Sequence, residues 1–200
     1  MSADNHPDGR DALPSFAMRL RQTHLFFGLN LWLLLAAGIA HAQAPRPSEY
    51  QLKTAFLYNF AKFFIDWPPE AFKDDTSPFV IGILGDNPFG KDLEQTVAGK
   101  TINNHPISVQ PFHTAAEATN CHILFVSSSE KKRFAEIVQA LHGAAVLTVS
   151  EADQFVEAGG MVNFVKVESK LRFQINDVAA KAVRLKISSK LLNLAVTTAH

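Results

Sequence analysis

Residues 78–86 read PFVIGILGD. Six consecutive positions from Phe79 to Leu84 carry no polar side chain, and three of them are the β-branched Val80, Ile81 and Ile83. A strand with one wet face alternates apolar with polar, so this run predicts a strand buried on both faces, as in parallel sheets covered by helices. HILFVS at 122–127 repeats the pattern, and AAVLTV at 144–149 gives a third strand. Helical spacing fills the gaps: Pro88 to Ala98, with Phe89, Leu93 and Val97 on one side, then Lys131 to Leu141, then a short piece around Ala152 to Val156. KTINNHPISVQPF at 100–112 reads as two short extended pieces around a turn. From Met161 the period becomes two, and MVNFVKV and KLRFQIN around Glu168-Ser169 predict an antiparallel hairpin with one wetter face. NDVAAKAV and SSKLLNLAV close the chain as helices capped by Asn176 and Ser188. The fold class that follows is α/β: a three-layer sandwich, its mostly parallel central sheet covered by helices on both faces and finished at one edge by a C-terminal antiparallel hairpin.

Upstream of the first strand stands FLYNFAKFFIDW, residues 56–67, in which six of twelve positions are aromatic against 10% for the chain. Ser48 and Gln51 have capping-box spacing, so a helix is expected from Ser48 to about Asp66, stopped by Trp67-Pro68-Pro69. At about 100° per residue, Leu52, Phe56, Phe60 and Phe63 share an arc of roughly 80°, which Leu57 and Phe64 widen to about 140°. That stripe has the width of a core-facing side. Ala61, Ile65 and Tyr58 carry the apolar surface to about 240°, with Asn59, Lys62 and Asp66 as the polar remainder. Either the C-terminal helix covers the second side or another molecule does, and the excess width also predicts a homodimer. Lys53, Lys62 and Asp66 argue against a membrane span.

The N-terminal 17 residues are polar and lack periodicity. Met18, Arg19 and Arg21 then precede an apolar run of 15 residues, Leu25 to Ile39, and Ala40-His41-Ala42. A cationic segment, a short apolar run and small residues form the anatomy of a secretory signal peptide, and a span needs roughly 20 residues. Residues 1–42 are thus expected to be an extension plus cleaved signal, with Met18 as an alternative start, and 43–200 a single domain exported to the periplasm. Cleavage removes three of nineteen basic and three of nineteen acidic residues, leaving sixteen of each. A balanced charge gives no attraction for nucleic acid. Cys121 is the only cysteine, so no internal disulfide forms and packing must hold the fold.

Catalytic and metal patterns do not assemble. Gly82, Gly85 and Gly90 match neither phosphate-binding glycine spacing, so a structural turn is the better reading. Cys121 and His122 are adjacent, and adjacent strand residues face opposite sides. Ser128 or Ser129 with the lysines that follow lacks the other elements of a penicillin-binding signature and reads as a helix cap. His105, His113, His122, His142 and His200 have no metal spacing, and the carboxylates look scattered over the surface. No cofactor or metal is expected.

AFLYNFAKFFIDWP, FVIGILGDNPFG with GKTINNHPI, CHILFVS, and AGGMVNFVKVESKLRFQIN with LKISSKLLNLA together span nearly all of residues 48–195. In this order they resemble the YfiR-like family of exported bacterial proteins. The resemblance implies a non-enzymatic periplasmic regulator, which represses an inner-membrane diguanylate cyclase by binding its periplasmic part and is relieved by an outer-membrane lipoprotein. Related domains resemble sensory modules, so the alternative is a small-molecule sensor. Candidate partner-binding residues are Tyr58, Phe64, Ile65 and Trp67; candidate ligand-binding residues are Arg172, Asn176, Lys186 and Ser188, where an arginine and hydroxyls could grip a carboxylate. Two departures stand out. Arg184 occupies a turn where the family has glycine, so the turn is expected to differ, and Cys121 alone cannot be an internal redox switch.

Overall fold

The computed structural model describes residues 47–196 and 198–199. The expected signal peptide and most of the Ala44–Pro47 tether lie outside the described residues. Strand β2 (Phe79–Leu84) pairs in parallel with β4 (His105–Phe112) on one side and β5 (Ile123–Val126) on the other. β6 (Leu147–Ser150) and β7 (Val162–Val167) continue in parallel, and β8 (Lys170–Asn176) turns back antiparallel to β7. β3 (Thr101–Ile102) pairs antiparallel with β4 at one edge, and β10 (Thr198–Ala199) adds in parallel to β8 at the other. The order is therefore β10-β8-β7-β6-β5-β2-β4-β3. The hairpin is one strand in from the edge. Its Glu168-Ser169 turn and the Asn103-Asn104 turn both have positive φ at two successive residues, the geometry that matches strand twist in two-residue loops.

Both faces of the central strands are buried, as their continuous apolar runs require. Phe79, Ile81, Ile83, Ile123, Phe125, Leu147 and Val149 point into one core with helix α1 (Glu49–Asn59) and α2 (Asp92–Val97). Leu84, Leu124, Val126 and Val146 point into the other, against Phe134 and Ile137 of α3 (Phe134–Ala140). Cys121 joins the second core while His122 stacks on Phe79 of the first, so the two do face opposite ways. Gly82 is required in β2, because a Cβ there would meet the Phe112 ring at 2.6 Å. Residues 152–156 form turns rather than the expected helical piece. Gln154 there has a positive φ of 70°, which a helix does not admit. The closing segment, α4 (Asp177–Ala182), β9 (Lys186–Ile187) and α5 (Ser189–Leu192), sends Ala180, Leu185 and Leu191 into the first core.

Helix α1 begins as its sequence dictates. Ser48 Oγ accepts from Gln51 N at 3.1 Å and Gln51 Oε1 accepts from Ser48 N at 3.0 Å. It does not reach Asp66. From Phe60 to Phe64 the backbone is a π-turn, closed by Ile65 N–H donating to Phe60 O, and β1 (Ile65–Asp66) follows, pairing antiparallel with β9. A π-turn holds an extra residue, so each advances by roughly 80° instead of about 100°. Phe63 therefore swings from about 60° to about 120° away from the direction of Phe60, while Ile65 swings from about 140° to within about 40° of it. The outcome reverses two expectations. Phe63, placed in the core stripe, is 65% exposed; Ile65, offered as partner-facing, is 3% exposed. Trp67, offered likewise, is also buried, its Nε1 donating to His122 O at 3.1 Å. Leu52 is exposed too, because the side of α1 turned to the sheet is set by Phe56, Leu57 and Phe60.

Arg184 keeps the left-handed turn that a glycine would favour, with φ 63°, and its guanidinium pairs with Glu70. The residue accepts strain there. The π-turn geometry predicts that two phenylalanines three positions apart behave oppositely. Phe60→Ala should lose about 3–5 kcal/mol in urea unfolding, and Phe63→Ala should stay within about 0.5 kcal/mol of the parent.

Candidate functional site

The outer side of the α1–π–β1 segment is where the aromatic excess meets solvent. Phe60 and Phe56 are taken up by the hairpin: their ring centroids lie 5.2 and 5.8 Å from Phe173, and Phe60 stacks on Phe164 at 6.2 Å. Tyr58 is half-buried, with Lys100 Nζ over its ring at 4.5 Å, and Lys62 Nζ reaches Thr101 O. That flank is committed to β3 and its neighbours. Phe64 is half-buried and its carbonyl accepts from Ser188 N at 2.8 Å, which ties it to the closing segment. Leu52 and Phe63 remain on the open side. Leu194 and Val196 are exposed as well, and Val196 N donates to Phe173 O, the strand residue on which Phe56 and Phe60 rest. Phe63 was missed because nothing in FAKFF distinguishes a π-turn from a straight helix; only the excess apolar width hinted that some ring must face outward.

The four ligand candidates do not converge on one another. Asn176 Oδ1 accepts from Ala179 N at 3.0 Å and Ser188 Oγ from Lys190 N at 3.3 Å, so both side chains are spent as helix caps. Arg172 is exposed on β8, opposite Val165. Lys186 borders a cavity of about 460 Å³ with Trp67, Pro68, Lys181 and Arg184, which does not take in the other three.

One cluster was not foreseen. Lys53 is only 3% exposed, and its Nζ lies 2.6 Å from Glu49 Oε1 and 2.5 Å from Glu151 Oε2. Tyr50 Oη donates to Glu151 Oε1 at 3.1 Å, and Lys166 pairs with Glu49 Oε2. The hydrogen bond from Lys166, then that from Lys53, holds the Glu49 carboxyl below its ordinary range, and burial with the nearby Glu151 charge pushes the Tyr50 phenol up. Glu151 sits just past the C-terminal end of β6, so it is far from Lys53 in sequence and invisible to any local pattern. Asp177 is buried too, paired with Lys181. The carboxylates are thus not all on the surface. At the β2–β5 crevice, where α/β folds often hold ligands, Ser129 Oγ accepts from Asp86 N and fills the space beside Gly85.

The geometry is that of an α/β domain with an aromatic ring turned to solvent. Residues 50–196 match the YfiR/HmsC-like family model, and the chain belongs to that family. That family is one of periplasmic regulators in cyclic-di-GMP signalling. The crystal structure of a conserved domain protein from Vibrio cholerae O1 biovar El Tor strain N16961 aligns with a TM-score of 0.52 at 13% identity, covering 76% of this chain and 60% of that one. This chain therefore spans about three fifths of that protein's length, and the likeness is one of fold. The ABC domain in complex with L-Trp from Streptococcus pneumonia aligns with a TM-score of 0.44 at 14% identity, covering 74% of this chain and 60% of that one. No curated protein matches. Among the described residues no helix is long and apolar enough to cross a membrane.

Acid bears on the stability of this fold through His122. Its ring is buried against Phe79 at 4.5 Å and Phe72 at 4.6 Å; Nδ1 accepts from Val80 N at 3.0 Å, and Nε2 has no partner. Phe72 in turn stacks on His105 at 4.2 Å, whose Nδ1 lies 2.7 Å from Ser77 O. Burial, with the neighbouring His105, lowers the His122 pKa from 6.5 to about 4. The unfolded chain thus binds the proton more readily than the native one, and stability falls as pH drops from about 6.5 to about 4, by roughly 3 kcal/mol from this group. Urea unfolding of His122→Asn, which keeps an acceptor for Val80 N, should show a weaker pH slope in that window than the parent. Equal slopes would remove His122 as the cause.

Proposed function

We propose that this protein is exported by its leader, residues 1–42, and that residues 43–200 act as a single domain repressing an inner-membrane diguanylate cyclase by binding its periplasmic part. Repression keeps cyclic-di-GMP low. An outer-membrane lipoprotein relieves it by competing for the protein. The contact is the open side of the aromatic segment, centred on Phe63 and extended by Leu52, and a homodimer uses the adjoining apolar surface at Leu194 and Val196. The observation that carries this reading is the exposure of Phe63, 65%, on a segment whose other large rings are half or fully buried. A large ring held outward by a π-turn is available to a partner, and aromatic anchors dominate the energetics of interfaces.

Tyr58 is the second candidate on the same helix, but Lys100 already covers its ring. The two positions therefore separate. Phe63→Asp should keep the parent's unfolding midpoint within a few degrees, weaken cyclase binding by about thirtyfold or more, as loss of an interface anchor does, and raise cellular cyclic-di-GMP. Tyr58→Ala should still repress. Full repression by folded Phe63→Asp would move the contact elsewhere.

A further inference from the structure

A cavity of about 710 Å³ opens between the start of α1, the end of β6 and the β7–β8 hairpin. It lies at the C-terminal end of parallel strands, where open α/β sheets receive ligands. Its floor is the Lys53 cluster: one ammonium held between the carboxylates of Glu49 and Glu151. Two negative charges against one leave a surplus of one, and burial makes an uncompensated charge expensive. Lys166, on the rim, supplies the balance through Glu49 Oε2. Its side chain is 64% exposed, so it is free to swing away. Asp153, also on the rim, is 91% exposed and already has Lys131 at 3.7 Å. The remaining wall is formed by Phe164, Val165, Leu171 and the ring of Tyr50, with Ser128 as the one further polar side chain.

We propose that this cavity binds a small organic cation, a primary ammonium or guanidinium carried on an apolar body, whose head replaces the Lys166 ammonium on Glu49. Exchange of one cation for another strands no charge. An anion would meet the surplus carboxylate, and Lys53 has no free charge to offer it. The apolar body lies against Leu171 and the ring of Tyr50, near the rings that seat α1 on the hairpin, so occupancy bears on the helix that runs into the π-turn bearing Phe63.

Two probes with the same phenethyl body and opposite charge decide the matter: phenethylammonium and 3-phenylpropionate, titrated into the mature protein at low ionic strength and followed by amide chemical shifts. The cation should saturate with shifts at Glu49, Lys53 and Glu151, and the carboxylate should not. Lys166→Gln, a change at an exposed position, should tighten the cation two- to fivefold by removing its competitor, the range that an exposed ion pair represents. Glu49→Gln should abolish saturation. Binding of the carboxylate instead, an unchanged or weaker affinity in Lys166→Gln, or no saturation by the cation in either the parent or Lys166→Gln would overturn the proposal. If Glu49→Gln unfolds, the Lys166→Gln comparison decides it.

Discussion

The seating of Phe60 on the hairpin constrains everything around it. Its ring lies nearly parallel to Phe164 and edge-on to Phe173, one residue on each hairpin strand, and these two are directly opposite in the β7–β8 register. Aromatic pairs of this kind add specific geometry to the area they bury. Once Phe60 is fixed, Trp67 must still reach the interior to meet His122 O and pack edge-on against Phe79. An unbroken α-helix would point Ile65 away from that path. The extra residue of the π-turn resolves the conflict, and the exposed ring of Phe63 is its consequence.

Much of the fold was legible because burial on both faces leaves a strong mark. Continuous apolar runs at β2, β5 and β6 announced parallel strands, and the change to alternation after Met161 announced the hairpin. Caps were legible for the same local reason: Ser48, Asn176 and Ser188 bind backbone donors two or three residues away. The candidate site was far less so. A helix wheel drawn at constant 100° put Phe63 inside and Ile65 outside, since the π-turn depends on where Trp67 has to go. The Lys53 cluster joins residues about a hundred positions apart, and no spacing rule reaches that far. Arg184 shows the opposite case, in which tertiary contacts hold a residue in a backbone conformation that its type disfavours.

Two features then share one continuous helical segment. The first two turns of α1 hold the buried charges beside the 710 Å³ cavity, and the π-turn that follows α1 carries the outward ring. A helix seated by interdigitated aromatics moves as a unit if it moves at all. A ligand that alters the Glu49–Lys166 contact therefore has a physical route to the proposed partner surface, with the seating of Phe56 and Phe60 as the element that both would bias.

The most direct measurement places a photoreactive phenylalanine at position 63, at position 60 and at position 58 in cells that contain the membrane cyclase. Phe63 faces outward, so irradiation is predicted to join that position to a membrane protein bearing a diguanylate cyclase domain, while position 60 gives no adduct and position 58 gives little. Capture of the cyclase from position 58 with none from position 63, or adducts at 63 with a second copy of this chain alone, would contradict the account.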